Sequence, residues 1–412
     1  MSSLVSTFRN LTTEERRHFF LLFLTDFLIL FSYPFFRAST TTLFLESYGA
    51  KSSPQAWFAA ILVIAIVIGV INFSQKKWGI HRIYSGLTMF SVLIFFGLYG
   101  AYEKGQNEVA FMLFVWKEAY IVLVFHLLIG YCNNFFSAEQ AKVFYGPLTG
   151  IGSLASMLGG FATAGVSETL GVTGVIVVGS ALLVLSIPSF WPTPRLGLKK
   201  QIENKITPLK SIQGVGPYVF CIAAIVILSQ FILTITELKF NVLFEQIIPI
   251  SADRTAYLGY MYSAINGFAL VLQFIIFPLV LSKVSNRVLH YCIPGLYLLL
   301  AILGLGVGAQ YLMFAAIVFI VFKGTDYSVF AVAKEFLYQN LSYWQRYGAK
   351  YIADMFCYRS GKAFSSLLLI YFQSELMLSV FLYSCLALWF VTLYFLFKFQ
   401  RQEPRLNSQA SL

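Results

Sequence analysis

The chain has 412 residues, 58% of them hydrophobic, 17% aromatic and only 11% charged, with a mean hydropathy of +0.75. Soluble domains carry about 25% charged residues, so this composition excludes a water-soluble globular protein and points to a bilayer. The formal net charge of +11 would suit a nucleic acid or acidic partner only if the basic residues gathered on one surface, and they are instead spread over short connections.

A membrane-crossing helix needs about 20 mostly apolar residues. Twelve such spans are predicted, at 19–45, 56–75, 83–102, 109–132, 143–164, 172–191, 216–244, 255–281, 288–308, 311–333, 350–372 and 375–399. The first is too long for a signal-peptide core, no small-residue cleavage site follows it, and it is expected to bend at Pro34, where a backbone donor is missing. It carries Asp26 and Arg37; the second and third carry no interior charge. The fourth carries Lys117 and Glu118. In the fifth, glycines 150, 152, 159 and 160 read as close helix packing.

The stretch 192–215, with its prolines, glycines and lysines, reads as a polar linker. The seventh span then carries Glu237 and Lys239, and the tenth Lys323 and Asp326. Charge thus recurs on every third span, one, four, seven and ten, and the eleventh, with Asp354, Arg359 and Lys362, departs from that interval. The connection after span two (Lys77, Arg82) is echoed after span eight (Lys283, Arg287), as expected of two repeats of six spans. The expected organisation is an N-terminal six-helix bundle (1–191), a cytoplasmic linker (192–215), a C-terminal six-helix bundle (216–399) and a polar tail (400–412). That is an all-α membrane protein of twelve transmembrane helices in two bundles, major-facilitator-like.

Orientation follows from the loops. With both termini in the cytoplasm, Arg16, Arg17, Lys77, Lys199, Lys200 and Lys210 fall inside, whereas Lys51, Lys104 and Arg254 fall outside. This bias accounts for most of the net charge and removes the case for nucleic acid.

The interior charges are the functional signal. A charge at the bilayer centre costs at least about 2.5–3.5 kcal/mol, so it faces a partner or a wet cavity. Gln230, Thr234, Glu237, Asn241 and Glu245 follow helical spacing and form one polar stripe. Asp26, Tyr33, Arg37 and Thr41 form a similar stripe on the first span, and Glu118, His126 and Asn133 share a sector of the fourth. Polar helices recurring through both halves predict a solute path lined by one helix from each triplet, which is the plan of a transporter. The bland alternative is that acid and base on one span simply neutralise each other.

Other classes find little support. The five cysteines are scattered, with no CxxC, and the four histidines do not cluster, so neither a disulfide framework nor a metal site is expected. No HExxH, GxSxG or GxxxxGK[ST] motif occurs, which argues against an intramembrane enzyme and a phosphate loop. No cofactor is expected, and one chain of this plan is expected to work as a monomer.

Two segments resemble a known family. Residues 116–160, with Glu118, Asn133, Ala141, Lys142, Phe144, Gly150, Gly152, Ser153 and Gly160, are similar to the ATP/ADP translocases (NTP/NDP exchange transporters) of intracellular bacteria and plastids. So are residues 323–368, with Tyr327, Ser328, Phe330, Lys334, Glu335, Lys350, Asp354, Gly361 and Lys362; the segment around Glu237 is a weaker third match. The pattern departs at Asn134 and Gln140, where the family has acids, at Asp326, where it has a base, and at Ala331 and Val332. The resemblance implies nucleotide antiport, with a nucleotide or another anionic small molecule as cargo, in a multi-pass protein of a bacterial inner (plasma) membrane.

The expected site follows from that cargo. Arg37, Lys239, Lys323, Arg359 and Lys362 would meet phosphates, and Tyr33 or Tyr327 would stack on the base. Glu118, Glu237 and Asp326 would neutralise the cations when the carrier is empty, with Asn133 in the same polar sector. The alternative keeps the fold and changes the cargo: a proton-coupled carrier of another anionic metabolite, with Glu118 or Glu237 holding the proton.

Overall fold

The structure, a computed structural model, describes residues 11–195, 207–276, 279 and 284–402, and every regular element in them is helical. Most of the predicted linker, including Lys199, Lys200 and Lys205, lies outside the described residues, as do Lys283 and the tail from 403.

Helix α1 (Thr13–Tyr48) starts at a capping box formed by Thr12 and Glu15 and stops at Gly49, whose φ of 74° suits glycine. It runs through Pro34 as one helix. The proline has no N–H for the Leu30 carbonyl four residues back, and the Ser156 hydroxyl donates to that oxygen instead, at 3.1 Å. A neighbouring helix thus supplies the hydrogen bond that the membrane interior cannot.

Helices α2 (Ser53–Trp78), α3 (Ile80–Tyr102) and α4 (Val109–Phe135) follow. Helix α5 (Ala138–Phe190) contains the predicted fifth and sixth spans, separated by a break at Gly171 (φ 65°, ψ −168°). That conformation is essentially restricted to glycine and costs about 1–3 kcal/mol for other residues. Gly171→Ala is therefore expected to lower unfolding stability by about 1–3 kcal/mol, read by thermal melting of the purified protein.

A short helix α6 (Pro208–Ser211) precedes α7 (Gly216–Ile247), α8 (Ser251–Val271), α9 (Asn286–Leu300) and α10 (Leu312–Thr325). Then come α11 (Ala331–Gln339), α12 (Tyr343–Lys350), α13 (Tyr358–Tyr371) and α14 (Glu375–Gln402). Four π-helical stretches interrupt this half: Leu272–Ile276, Ala301–Val307, Asp326–Phe330 and Tyr351–Cys357.

Among the described residues ten helices are long and apolar enough to cross a membrane. The α5 run supplies two crossings at its Gly171 break, and the run from α12 to α13 escapes that criterion because it carries Asp354, Arg359 and Lys362. Counted in this way the described residues hold twelve helical crossings, and the chain is a multi-pass integral membrane protein.

Its residues group into two compact units, 1–49, 59–201 and 248–267 in one, and 50–58, 202–247 and 268–412 in the other. In the first, α1 packs along α5 and α4, and α3 lies against both. Phe36 stacks on Phe95 at 4.1 Å and meets Tyr120 edge-on. In the second unit α7 is central, packed by α14, α13 and α10. Tyr297 stacks on Phe322 at 4.0 Å and donates to its carbonyl at 2.8 Å. The helix at each centre carries a predicted polar stripe, so tight packing rather than lipid surrounds those polar groups.

Candidate functional site: buried charges in each unit

In the first unit, Arg37 is buried on α1 with its guanidinium 4.0 Å from the Tyr262 ring centre and 5.7 Å from that of Tyr33. Both tyrosines present π faces to the cation, an interaction that strengthens as water is excluded. On α4, Lys117 pairs with the adjacent Glu118 at 2.8 Å, and its ammonium lies 3.4 Å from the Thr41 hydroxyl of α1 and 3.6 Å from the Phe114 ring centre. Asn133, at the end of α4, accepts from the Tyr145 hydroxyl of α5. A cavity of about 740 Å³ in this unit is an apolar groove lined by Val63, Phe90, Ile94, Met112 and Trp116, and none of these charged groups lines it.

In the second unit, Lys323 of α10 faces Glu237 of α7 at 3.3 Å, with side chains only 12% and 13% exposed. The chain leaves α-helical geometry three residues later, and the π turn begins at Asp326, which is buried. A π turn adds a residue to one turn and so redirects the side chains beside it, a device common at functional sites. Lys323 lies 6.0 Å from the Tyr327 ring centre, and Tyr327 is itself exposed. Tyr358, where α13 begins, interacts electrostatically with Asp326, Tyr327, Lys323 and Glu237. Five side chains from three separate helices therefore converge.

The remaining predicted residues of this unit lie on α7 and α13. Lys239 forms an ion pair with Glu375 at the start of α14, whose side chain is 73% exposed. Lys362 lies 5.9 Å from the Trp57 ring centre. Arg359 is half-buried and makes no hydrogen bond or ion pair with any described residue. The rest of the α7 stripe is buried: Gln230, Thr234 and Asn241 face inward, with the Ser365 hydroxyl of α13 3.2 Å from that of Thr234. Glu245 accepts from the Ala50 backbone N–H at 2.7 Å.

A second charged network occupies α11 to α12. Lys334 pairs with Asp354 at 2.6 Å, Tyr338 donates to the same carboxylate at 2.9 Å, and Lys350 pairs with Glu335 at 2.6 Å. Asp354 again lies in a π turn. Sequence reasoning missed Tyr262, Tyr358, Trp57 and Glu375. The aromatics look like ordinary packing residues, and Glu375 looks like a helix-start acid.

No model of a known protein family matches the sequence, and no curated protein matches it. Solved structures do match. A point-mutant form of the nucleoside transporter NupG superposes with a TM-score of 0.66 over 93% of this chain and 99% of its own, at 14% identity. A bacterial homologue of the iron transporter ferroportin, in its inward-facing state, gives 0.65 over 94% and 99% at 14% identity. An auto-inhibited peptide transporter of the POT family gives 0.63 over 93% and 97% at 9% identity. The fold is that of the major-facilitator transporters. At such low identity the likeness is one of architecture, and a shared fold does not fix the cargo.

Proposed function

We propose that the protein is a secondary-active transporter that exchanges anionic nucleotides of the ATP/ADP type by alternating access. It would work as a monomer in a bacterial inner membrane, with both termini cytoplasmic and two six-helix halves joined by the linker at 192–215. The observation that carries the reading is the Lys323–Glu237 ion pair, intramembrane and almost fully buried, with Asp326 and Tyr327 on the adjoining π turn. A phosphate competes with Glu237 for Lys323 through charge-assisted hydrogen bonds. Arg359, in the same unit, adds a cation with no counter-ion among the described residues.

The resemblance of residues 116–160 and 323–368 to the nucleotide exchangers favours this cargo over other anions, and the architecture shared with a nucleoside transporter is compatible with it. The rival reading gives Glu118 or Glu237 a proton to carry, and each of those carboxylates already holds a lysine. The test is uptake of labelled ADP or ATP into proteoliposomes preloaded with ATP, ADP or buffer. Uptake is expected only when nucleotide is inside. Equal uptake with buffer inside rules out obligatory exchange, and none under any condition removes nucleotides as cargo.

A further inference from the structure

One acid in the first unit has no place in the solute cycle just described. Asp26 lies in the middle of α1, is 1% exposed, and neither carboxylate oxygen accepts a hydrogen bond from any described residue. Among the described residues it has no ion-pair partner and no cation acts on it.

Its surroundings explain the isolation. On α1 the adjoining turns present Leu22, Phe23, Ile29 and Leu30. Gly152 of α5 faces it and offers no side chain; a Cβ there would stand 3.1 Å from Oδ2. The titratable groups that face it are Tyr84 of α3 and Cys132 of α4. The Tyr84 hydroxyl already donates to Ser186 at 2.7 Å, and a thiol is a weak donor. An ionised carboxylate in such a place lacks solvation, partner and hydrogen bond at once, and a group in that position takes up a proton instead.

We propose that Asp26 is a proton-binding site. Its carboxyl group keeps its proton while α1, α3, α4 and α5 are packed as seen here. When that packing loosens and water enters, the O–H bond breaks, the proton passes to water and the carboxylate is left hydrated. An intramembrane acid that alternates between dry and wet surroundings links a carrier's cycle to the pH difference across its membrane. The link to transport rests on the function proposed above; the proton site itself does not.

The test separates the two. Infrared spectra of the purified full-length protein in lipid are expected to show the carbonyl-stretch band of a buried carboxylic acid at neutral pH. The band should be lost in Asp26→Asn and retained but shifted in Asp26→Glu, which also serves if the asparagine variant does not fold. A wild-type spectrum without that band, or a band unchanged by both substitutions, overturns the site. In proteoliposomes, nucleotide exchange by the wild type is expected to vary with pH and exchange by Asp26→Asn to be independent of it. Identical pH profiles overturn the coupling. A band that behaves as expected in a protein that moves no nucleotide leaves the proton site standing and rejects the cargo.

Discussion

Lys323→Ala is expected to abolish nucleotide uptake, and pairing it with Glu237→Ala is expected to restore the fold without restoring transport. Buried ion pairs respond asymmetrically to truncation. Deleting one partner leaves a charge with little water, which destabilises a protein by about 3–5 kcal/mol, whereas deleting both is often close to neutral. Lys323 and Glu237 are 12% and 13% exposed, so the asymmetry applies to them. The single variant confounds folding with function; the double variant isolates function. Glu237→Gln is expected to act in the opposite direction, since the phosphate no longer has a carboxylate to displace. Lys323 left without its carboxylate raises the free energy of the empty carrier, on the scale of the roughly 3–5 kcal/mol of an uncompensated buried charge, and a bound phosphate recovers part of that. Calorimetric titration of ADP into purified Glu237→Gln should show tighter binding, and proteoliposomes should show slower exchange, because release becomes limiting. A double-alanine variant that exchanges nucleotide at the wild-type rate would falsify a solute contact at Lys323.

The parts of this site that were legible in the sequence are those governed by local rules. Apolar length located the spans, and helical spacing identified the α7 stripe, in which Gln230, Thr234 and Asn241 are buried and Glu237 is partly so. Partner choice was not legible, because it is decided between helices distant in sequence. Glu237 and Lys239 share a span, yet one faces Lys323 of α10 and the other Glu375 of α14, since residues two apart point to different sides of a helix. The π turns at 326–330 and 351–357 were equally hidden: the same residues are compatible with continuous α-helix, and tertiary packing decides where a turn widens. Pro34 shows the converse. The local rule correctly marked a missing hydrogen bond, but a helix more than a hundred residues away repairs it through Ser156. Asp26 was visible as a charge, and its lack of any partner was visible only in three dimensions.

Gly160→Leu is expected to destabilise the protein strongly, whereas substitution of a glycine one turn further along α5 is expected to be tolerated. Within the first unit, α5 and α8 cross with Gly160 and Gly259 face to face. A Cβ on Gly160 would lie 2.6 Å from the Gly259 carbonyl oxygen and 2.9 Å from the Ser263 nitrogen. One on Gly259 would lie 2.7 Å from the Gly160 oxygen and 2.9 Å from the Ala164 nitrogen. These are backbone atoms, which cannot swing aside as a side chain can, so the helices must separate. Separation breaks more than packing. The Ser263 hydroxyl donates to Met157 O at 2.7 Å, and Ser167 donates to Ala252 O at 2.8 Å, both across the same crossing. Lipid offers those groups no replacement, and helix association in a bilayer depends on such close approach rather than on expelling water. Overpacking alone costs about 1–3 kcal/mol, and the lost hydrogen bonds add to it. Gly165 supplies the control on the same helix. A Cβ there meets nothing within 4 Å, so Gly165→Ala is expected to be neutral or stabilising by up to about 1 kcal/mol through helix propensity. Thermal unfolding of both variants in detergent measures the contrast. Equal melting temperatures would mean that α5 and α8 do not meet at these glycines, because a leucine side chain has no room between two backbones in contact.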